Sequence, residues 1–267
     1  MNAQRSVIVV GCLVMLVCQV TPGDEDRTED YFPTDSTYHA SFQRIEFQEN
    51  ELRHVDPRLP EGEVTRTYTW KPLIRGGVPF LQVSREDEQK QWLILASDRL
   101  LLLYDGESPY PFFVGVSGHP NAREALYSFP DAFTATSSLA ENDTTYVATN
   151  LGEAALRTPW VEAAEGQGVG EEIRIAKGFP RLWISVGFVS YSRPELYELN
   201  SRPKRIRVVD DHTGAEKTVR LEDTPSPQSV TLPGDPSWEH STIRLIIEEV
   251  YPGTRWEDTC VNFILFF

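Results

Sequence analysis

The chain has 267 residues, 25 basic against 40 acidic side chains for a formal charge of −15, 40 % apolar content and three cysteines. That length suits one large or two small domains with real cores, and an acidic excess in both halves, −7 over residues 1–129 (12 basic, 19 acidic) and −8 over residues 130–267 (13 basic, 21 acidic), excludes a general nucleic-acid binder, which needs a basic face. An aromatic content of 11 % excludes broad disorder, and Cys12, Cys18 and Cys260 allow at most one internal disulfide, which excludes a small disulfide-stapled scaffold.

At the N-terminus, Arg5 precedes the apolar run Val7–Val20, and Thr21-Pro-Gly-Asp-Glu-Asp follows it. A helix of that length cannot cross ~30 Å of hydrocarbon. A basic flank, a short apolar segment and a polar, turn-forming exit predict a secretory signal peptide over residues 1–20, against the alternative of a buried N-terminal helix. Export to the periplasm, the outer surface or the extracellular space follows. Cys12 and Cys18 sit inside the run, so plain export and a lipoprotein signal both stand; a lipidated cysteine would anchor the protein to a membrane with no spanning helix. Residues 21–40 carry six acidic side chains among Pro, Thr and Ser and are expected as an acidic flexible tether.

From residue 41 short apolar stretches set in: Val64–Trp70, Val78–Val83, Trp92–Ala96, Arg99–Tyr104 and Phe112–Val116. Their β-branched and aromatic content, and separators such as Gly76-Gly77 and Asp105-Gly-Glu-Ser-Pro109, predict strands and turns. Ser84–Gln91, rich in charge, reads as a hairpin connection or a short helical turn, a solvated loop rather than a site. A β-rich domain of no evident family is expected over residues 41–128, with a boundary near Pro130. No repeat period appears, which argues against a solenoid or propeller. Beyond the boundary, Arg181–Val186, Arg205–Val209, Thr218–Leu221, Ser229–Leu232, Thr242–Ile247 and Val261–Phe267 are strand-like. Several alternate apolar with polar as half-buried antiparallel strands do, and Asp210–Gly214 is a turn joining two of them.

An ordered set of motifs runs through this second half: Ala135–Leu139, Tyr146–Leu151, Arg157-Thr-Pro-Trp-Val161, Gly166-Gln-Gly-Val-Gly-Glu171, Gly187–Tyr191, Tyr197–Ile206, Leu221–Thr224 with Gln228, Val250-Tyr-Pro-Gly253 and Trp256–Val261. In order and spacing it resembles the discoidin-like (F5/8 type C) module of bacterial exported proteins described as the NADase-type glycan-binding domain, over residues 130–267. The resemblance implies a jelly-roll sandwich of eight strands and about 140 residues, with ligand loops at one end. The fold class expected is therefore all-β, a C-terminal discoidin-like jelly-roll β-sandwich preceded by a small β-rich domain.

Some modules of this kind hold a structural Ca²⁺ between an Asp-Gly pair and a Thr-x-Trp, closed by a Glu near the C-terminus. Here Thr158 and Trp160 match, Glu153 and Ala154 fill the Asp-Gly positions, and Asn262 or Phe263 stands for the Glu. Asn150, Glu153 and Thr158 are the candidate ligands of a site thinned against the six to eight oxygens that calcium takes. Sugar binding needs exposed aromatic faces and a few planar polar groups. Tyr191, Arg193, Trp238, Tyr251 and Trp256, in or beside the matching loops, are the ligand-binding candidates. Trp160 and Trp183 read as core, and the basic cluster Arg202, Lys204, Arg205 and Arg207 as alternate strand faces.

Catalytic constellations are missing. The acidic doublets, among them Glu171-Glu172, Glu248-Glu249 and Glu257-Asp258, place neighbours on opposite strand faces, and the five histidines lack metal spacing. There is no Gly-x-Ser-x-Gly elbow. Gly166–Gly170 lacks the phosphate-loop lysine and precedes two glutamates, so it is a glycine turn, and Cys260 reads as a buried thiol. The expectation is an exported, non-catalytic binding protein, with no cofactor unless Ca²⁺ binds, whose partner is carbohydrate or another cell-surface ligand. The alternative is a structural or protein-interaction module of the cell envelope without a glycan site.

Overall fold

The computed structural model describes residues 32–40, 42–56, 65–118, 129–176, 179–234 and 242–266. The segment expected as a signal peptide, Cys12, Cys18, most of the expected tether and Trp238 lie outside them. Among the described residues no helix is long and apolar enough to cross a membrane.

The first half is a closed, antiparallel eight-stranded barrel in simple up-and-down order: β1 (Thr37–His39), β2 (Arg44–Phe47), β3 (Glu51–Val55), β4 (Thr65–Arg75), β5 (Val78–Arg85), β6 (Glu88–Ala96), β7 (Leu100–Tyr104) and β8 (Phe113–Ser117). β1 closes it by pairing with β8, Tyr38 opposite Ser117 and His39 opposite Val116. The tether expected through residue 40 is thus corrected. Phe32 and Tyr38 are buried in the barrel core, the first ahead of β1 and the second inside it, in a three-residue strand too short to show alternation. Ser84–Gln91 is the hairpin connection, with a turn tighter than expected, for β5 and β6 pair as far as Arg85 and Glu88 across the two residues Glu86-Asp87. Strand length here outruns apolar patterning because a barrel extends its ladders into solvent on one side.

Alternation along the barrel strands serves two cores. Leu81, Val83, Trp92, Ile94, Leu101, Leu103 and Phe113 fill the barrel interior with Ile45, Phe47, Leu52 and Trp70. The opposite faces of the same strands, with Val78, Phe80, Leu93, Leu95, Leu100, Leu102 and Tyr104, join a separate buried cluster with Trp183, Val189, Tyr197, Phe263 and Leu265. β7 is therefore apolar at every position, as a strand covered on both sides must be.

The second half is a sandwich. One sheet has the order β12 (Trp160–Val161), β19 (Cys260–Phe266), β14 (Arg181–Val186), β17 (Gln228–Thr231). The facing sheet runs β16 (Glu216–Arg220), β15 (Arg202–Asp210), β18 (Ile243–Tyr251), β13 (Glu172–Ile175), β9 (Phe133–Ala135). A small hairpin, β10 (Ala140–Glu141) with β11 (Thr144–Thr145), lies outside both. The chain is all-β, as expected, though the two sheets hold nine strands where eight were implied, with the short β9 and β12 at their edges. Trp160, Ile184, Leu245, Ile264 and Phe266 lie in the core between the sheets.

β19 shows how one strand feeds both cores. Val261, Ile264 and Phe266 face the sandwich interior, whereas Phe263 and Leu265 face the barrel. The change of parity comes from a bulge: Ser185 is opposite Phe263 but Val186 is opposite Val261, which leaves Asn262 as the extra residue. Asn262 is buried and donates to Ser185 Oγ at 3.1 Å.

Two outcomes follow from this packing. Leu102→Ala is expected to cost about 2–5 kcal/mol in urea unfolding, and Leu102→Asp to split one transition into separate barrel and sandwich transitions; a two-step curve for the unmodified protein would show that the joint does not couple the halves. Burial, and next to it the charge of Asp98, push the Tyr38 hydroxyl up from 10.0 to about 12. The folded state then keeps that proton longer than the unfolded one, so the contribution is full below pH 10 and is lost as pH rises toward 12. Urea midpoints across that window should fall less steeply in Tyr38→Phe, and parallel slopes would refute the assignment.

Candidate functional site

Three loop segments meet at one end of the sandwich. The first is the β10–β11 hairpin with Tyr146 behind it. The second runs from Gly187 to α1 (Leu196–Leu199), and the third is the loop from Pro252 to Thr259. Between them lies a groove of about 540 Å³. Glu141 and Asn142 come from the first segment, Phe188 and Arg193 from the second, Trp256 and Asp258 from the third, while Tyr146, Val161 and Asn200 also line it.

Backbone bonds fix each wall. Thr254 N donates to Glu198 O at 3.0 Å and Trp256 N to Leu199 O at 2.9 Å, which zips the third loop onto the end of α1. Tyr146 N donates to Leu139 O at 2.9 Å, and the Tyr146 and Phe188 rings meet edge to face at 5.9 Å. Arg255 covers one side of Trp256, its guanidinium 4.7 Å from the ring centroid. Arg193 is exposed and pairs with Glu195 at 3.3 Å, an arrangement open enough to be exchanged for a ligand. Burial raises the Tyr146 hydroxyl above its ordinary value, as does Glu141, while Arg193 opposes them; the three groups therefore share one electrostatic neighbourhood.

Beneath the groove is a buried charge. Arg202, 6 % exposed, meets Asp223 through two bonds, Nε to Oδ1 at 2.7 Å and Nη2 to Oδ2 at 2.9 Å. Its Nη1 donates to Tyr197 O and Asn200 O at the end of α1, where carbonyls lack helical partners. The Tyr197 ring lies 4.8 Å from the guanidinium, and its hydroxyl donates to Asp223 at 3.0 Å. One side chain so ties β15, α1 and the segment before β17 together. A second support is Glu162, fully buried, whose two carboxylate oxygens accept Ala164 N at 2.6 Å and Thr259 N at 3.0 Å. Burial raises its carboxyl, and those two backbone donors oppose the rise. A Cβ at Gly168 would come within 2.5 Å of this carboxylate, so the glycine-rich turn closes over Glu162.

Of the five ligand-binding candidates, Arg193 and Trp256 share the groove. Tyr191 does not: its hydroxyl donates to Gln91 O of β6 at 2.7 Å and its ring packs on Phe80, because the barrel covers that side of the loop. Tyr251 ends β18, half-buried, and donates to Leu221 O at 3.1 Å with Lys204 5.7 Å from its ring; it also lies apart from the groove lining. Trp238 is outside the described residues. Tyr146, Phe188, Glu141, Asn142 and Asp258 were not singled out as ligand residues. Their one advance signal is the Asn142-Asp143 turn, where Asn142 takes a φ of +53°, marking an exposed hairpin tip beside Tyr146.

Two of the three calcium candidates carry other bonds. Glu153 accepts Tyr110 OH at 3.1 Å and Asn150 Nδ2 donates to Pro159 O at 3.4 Å, while Thr158 brings a neutral hydroxyl, a sparse set beside the six to eight oxygens calcium takes. Asn262 is bound to Ser185 and Phe263 is in the joint, so neither closes the loop. Among the described residues no group of three or more His, Cys, Asp or Glu side chains could hold a metal. The basic cluster is neutralised: Lys204 and Arg205 pair with Glu249, Arg205 and Arg207 with Glu248, and Arg207 with Glu216. Trp160 and Trp183 are core. Cys260 is a free, buried thiol raised well above its ordinary value by burial, hence unreactive.

A jelly-roll sandwich that presents a loop-lined groove, with a packed interior behind it, has the layout of a non-covalent binding module. Residues 127–267 match the family described as the NAD glycohydrolase translocation F5/8 type C domain, just over half of the sequence, and the chain belongs to that family. Among solved structures, it is similar to a family 32 CBM from C. perfringens NanJ determined in complex with galactose, with 14 % identity, 53 % of this chain and 98 % of that chain covered, and a TM-score of 0.37. No curated protein matches.

Arg202→Met should cost roughly 2–3 kcal/mol in urea unfolding, less than a fully buried pair because Asp223 keeps some hydration. A loss under about 1 kcal/mol, the range of a surface pair, would mean that the bidentate bridge does not hold α1.

Proposed function

We propose that the protein is an exported, non-catalytic carbohydrate-binding protein whose sugar site is the groove between the β10–β11 hairpin, segment 187–195 and the loop around Trp256. The observation that carries this reading is the composition of that groove. Trp256, Tyr146 and Phe188 offer aromatic surface, and Glu141, Asn142, Arg193 and Asp258 surround them with planar polar groups. Apolar faces take up the C–H side of a pyranose and planar donors and acceptors its hydroxyls. Two carboxylates against one guanidinium favour an uncharged sugar over an anionic one, and the chain's overall −15 points the same way. Family membership supports binding rather than chemistry, and the apolar N-terminal run supports export, by plain secretion or through a lipidated Cys12 or Cys18.

The test is a glycan array probed with the full chain. Uncharged glycans should bind, and Trp256→Ala should weaken the best of them by about ten-fold or more, the loss of one aromatic contact, with circular dichroism unchanged. A silent array, or equal binding by the variant, would sink the sugar site and leave a protein-interaction or structural module of the envelope in its place.

A further inference from the structure

The barrel and the sandwich meet at a second, smaller cleft of about 180 Å³. The β7–β8 loop of the barrel contributes Gly106, Glu107 and Ser108 to it, and the sandwich contributes Ser190, Tyr191 and Ser192. Segment 188–193 is therefore shared. Phe188 and Arg193 line the groove, while the three residues between Val189 and Arg193 line the seam cleft. One short loop separates two cavities.

The seam is built in advance. Tyr104 OH donates to Ala154 O at 2.9 Å, Tyr191 OH to Gln91 O at 2.7 Å and Leu156 N to Pro109 O at 2.8 Å, so three bonds cross from one domain to the other around the cleft. Gly106 has φ +83°, and a Cβ there would lie 2.4 Å from the Tyr191 ring; the loop can sit this close only as glycine. The walls are hydroxyl-rich. Ser108 Oγ accepts Tyr110 N and Ser190 Oγ accepts Arg193 N, which orients each oxygen and leaves its proton for an outside acceptor. Beside Pro109 stands Tyr110, 52 % exposed and pinned across the seam by its bond to Glu153 at 3.1 Å. An exposed aromatic ring held in place by its hydroxyl is a stacking surface that loses little freedom when a ligand arrives. Glu107 is the one charged residue in this lining, and no Lys or Arg is among it.

From this geometry we infer that the seam is a second sugar subsite, reached by the same ligand that fills the groove. The ligand is then an uncharged oligosaccharide, long enough to cross segment 188–193 and to touch Tyr110 of the barrel. This inference rests on the sugar reading of the groove and adds a role for the barrel, which supplies half of the recognition surface.

The experiment is calorimetry on the full chain with a ladder of neutral hexose oligosaccharides of increasing length, in galacto- and gluco-series. In the unmodified protein, affinity should rise about ten-fold or more between the shortest and longest members of the series that binds, as one more aromatic contact allows. Tyr110→Ala should abolish that rise and leave monosaccharide affinity unchanged, whereas Tyr110→Phe, which keeps the ring but loses its bond to Glu153, should retain part of it. Trp256→Ala should weaken every length. A monosaccharide that binds with no gain on lengthening, or a gain that survives Tyr110→Ala, would overturn the seam subsite while leaving the groove intact. Failure of every sugar to bind would overturn both.

Discussion

The structure depends on one apolar joint. Half of the barrel's strands, β5 to β8, and the central strands of one sandwich sheet, β14 and β19, are each covered on both sides. Separating such strands into solvent is costly, because the barrel alone would expose Phe80, Leu93 and Leu102 and the sandwich alone Trp183, Phe263 and Leu265. Apolar surface on that scale drives association wherever it is left open. Two architectures, each a common way of burying a sheet, thus share one apolar cluster, and the bulge at Asn262 lets β19 serve both sides.

The loops gain their fixed positions from this joint. Segment 187–195 leaves β14 directly above it, with Val189 in the shared cluster and Tyr191 bonded to β6. α1 then sits on the Arg202–Asp223 bridge. A buried ion pair contributes less to stability than to definition of geometry: its attraction repays the loss of hydration only when every donor is used. Here the guanidinium also takes up two carbonyls at the end of α1. Glu162 does similar work on the other wall, where both of its oxygens hold backbone amides. Recognition loops on rigid supports lose little entropy on binding, which is the physical link between these buried polar groups and the groove above them.

Legibility of the site differed by residue. Trp256 and Arg193 could be chosen by type and by loop position, and the fold brings them together. Tyr191 had the same credentials, yet the barrel covers it; no pattern within residues 130–267 announces a neighbour supplied by another part of the chain. Tyr251 fails for a different reason, since a strand end and a loop look alike in sequence. Tyr146, Phe188 and Asp258 come from separate segments and acquire a common purpose only by convergence. The calcium candidates were aligned by motif, but Glu153 is engaged by Tyr110 of the barrel, again a partner that lies outside the motif.

By itself the sequence determined the all-β class, most strands of both halves, the glycine turns and the family of residues 130–267, because period-two alternation, turn chemistry and motif order are local properties. It also held the clue to the joint in the unbroken run Leu100–Leu103 and in Val261–Phe267, where alternation is missing. What alternation cannot say is which surface covers each face. Only the tertiary structure decided that the second apolar face of β7 joins one buried cluster with β19 and β14, that β1 is drawn out of an acidic segment to close the barrel, and that Trp256 lines the groove while Tyr191 is bonded across to the barrel. Burial is a property of contacts between distant segments, and local periodicity carries no record of the partner.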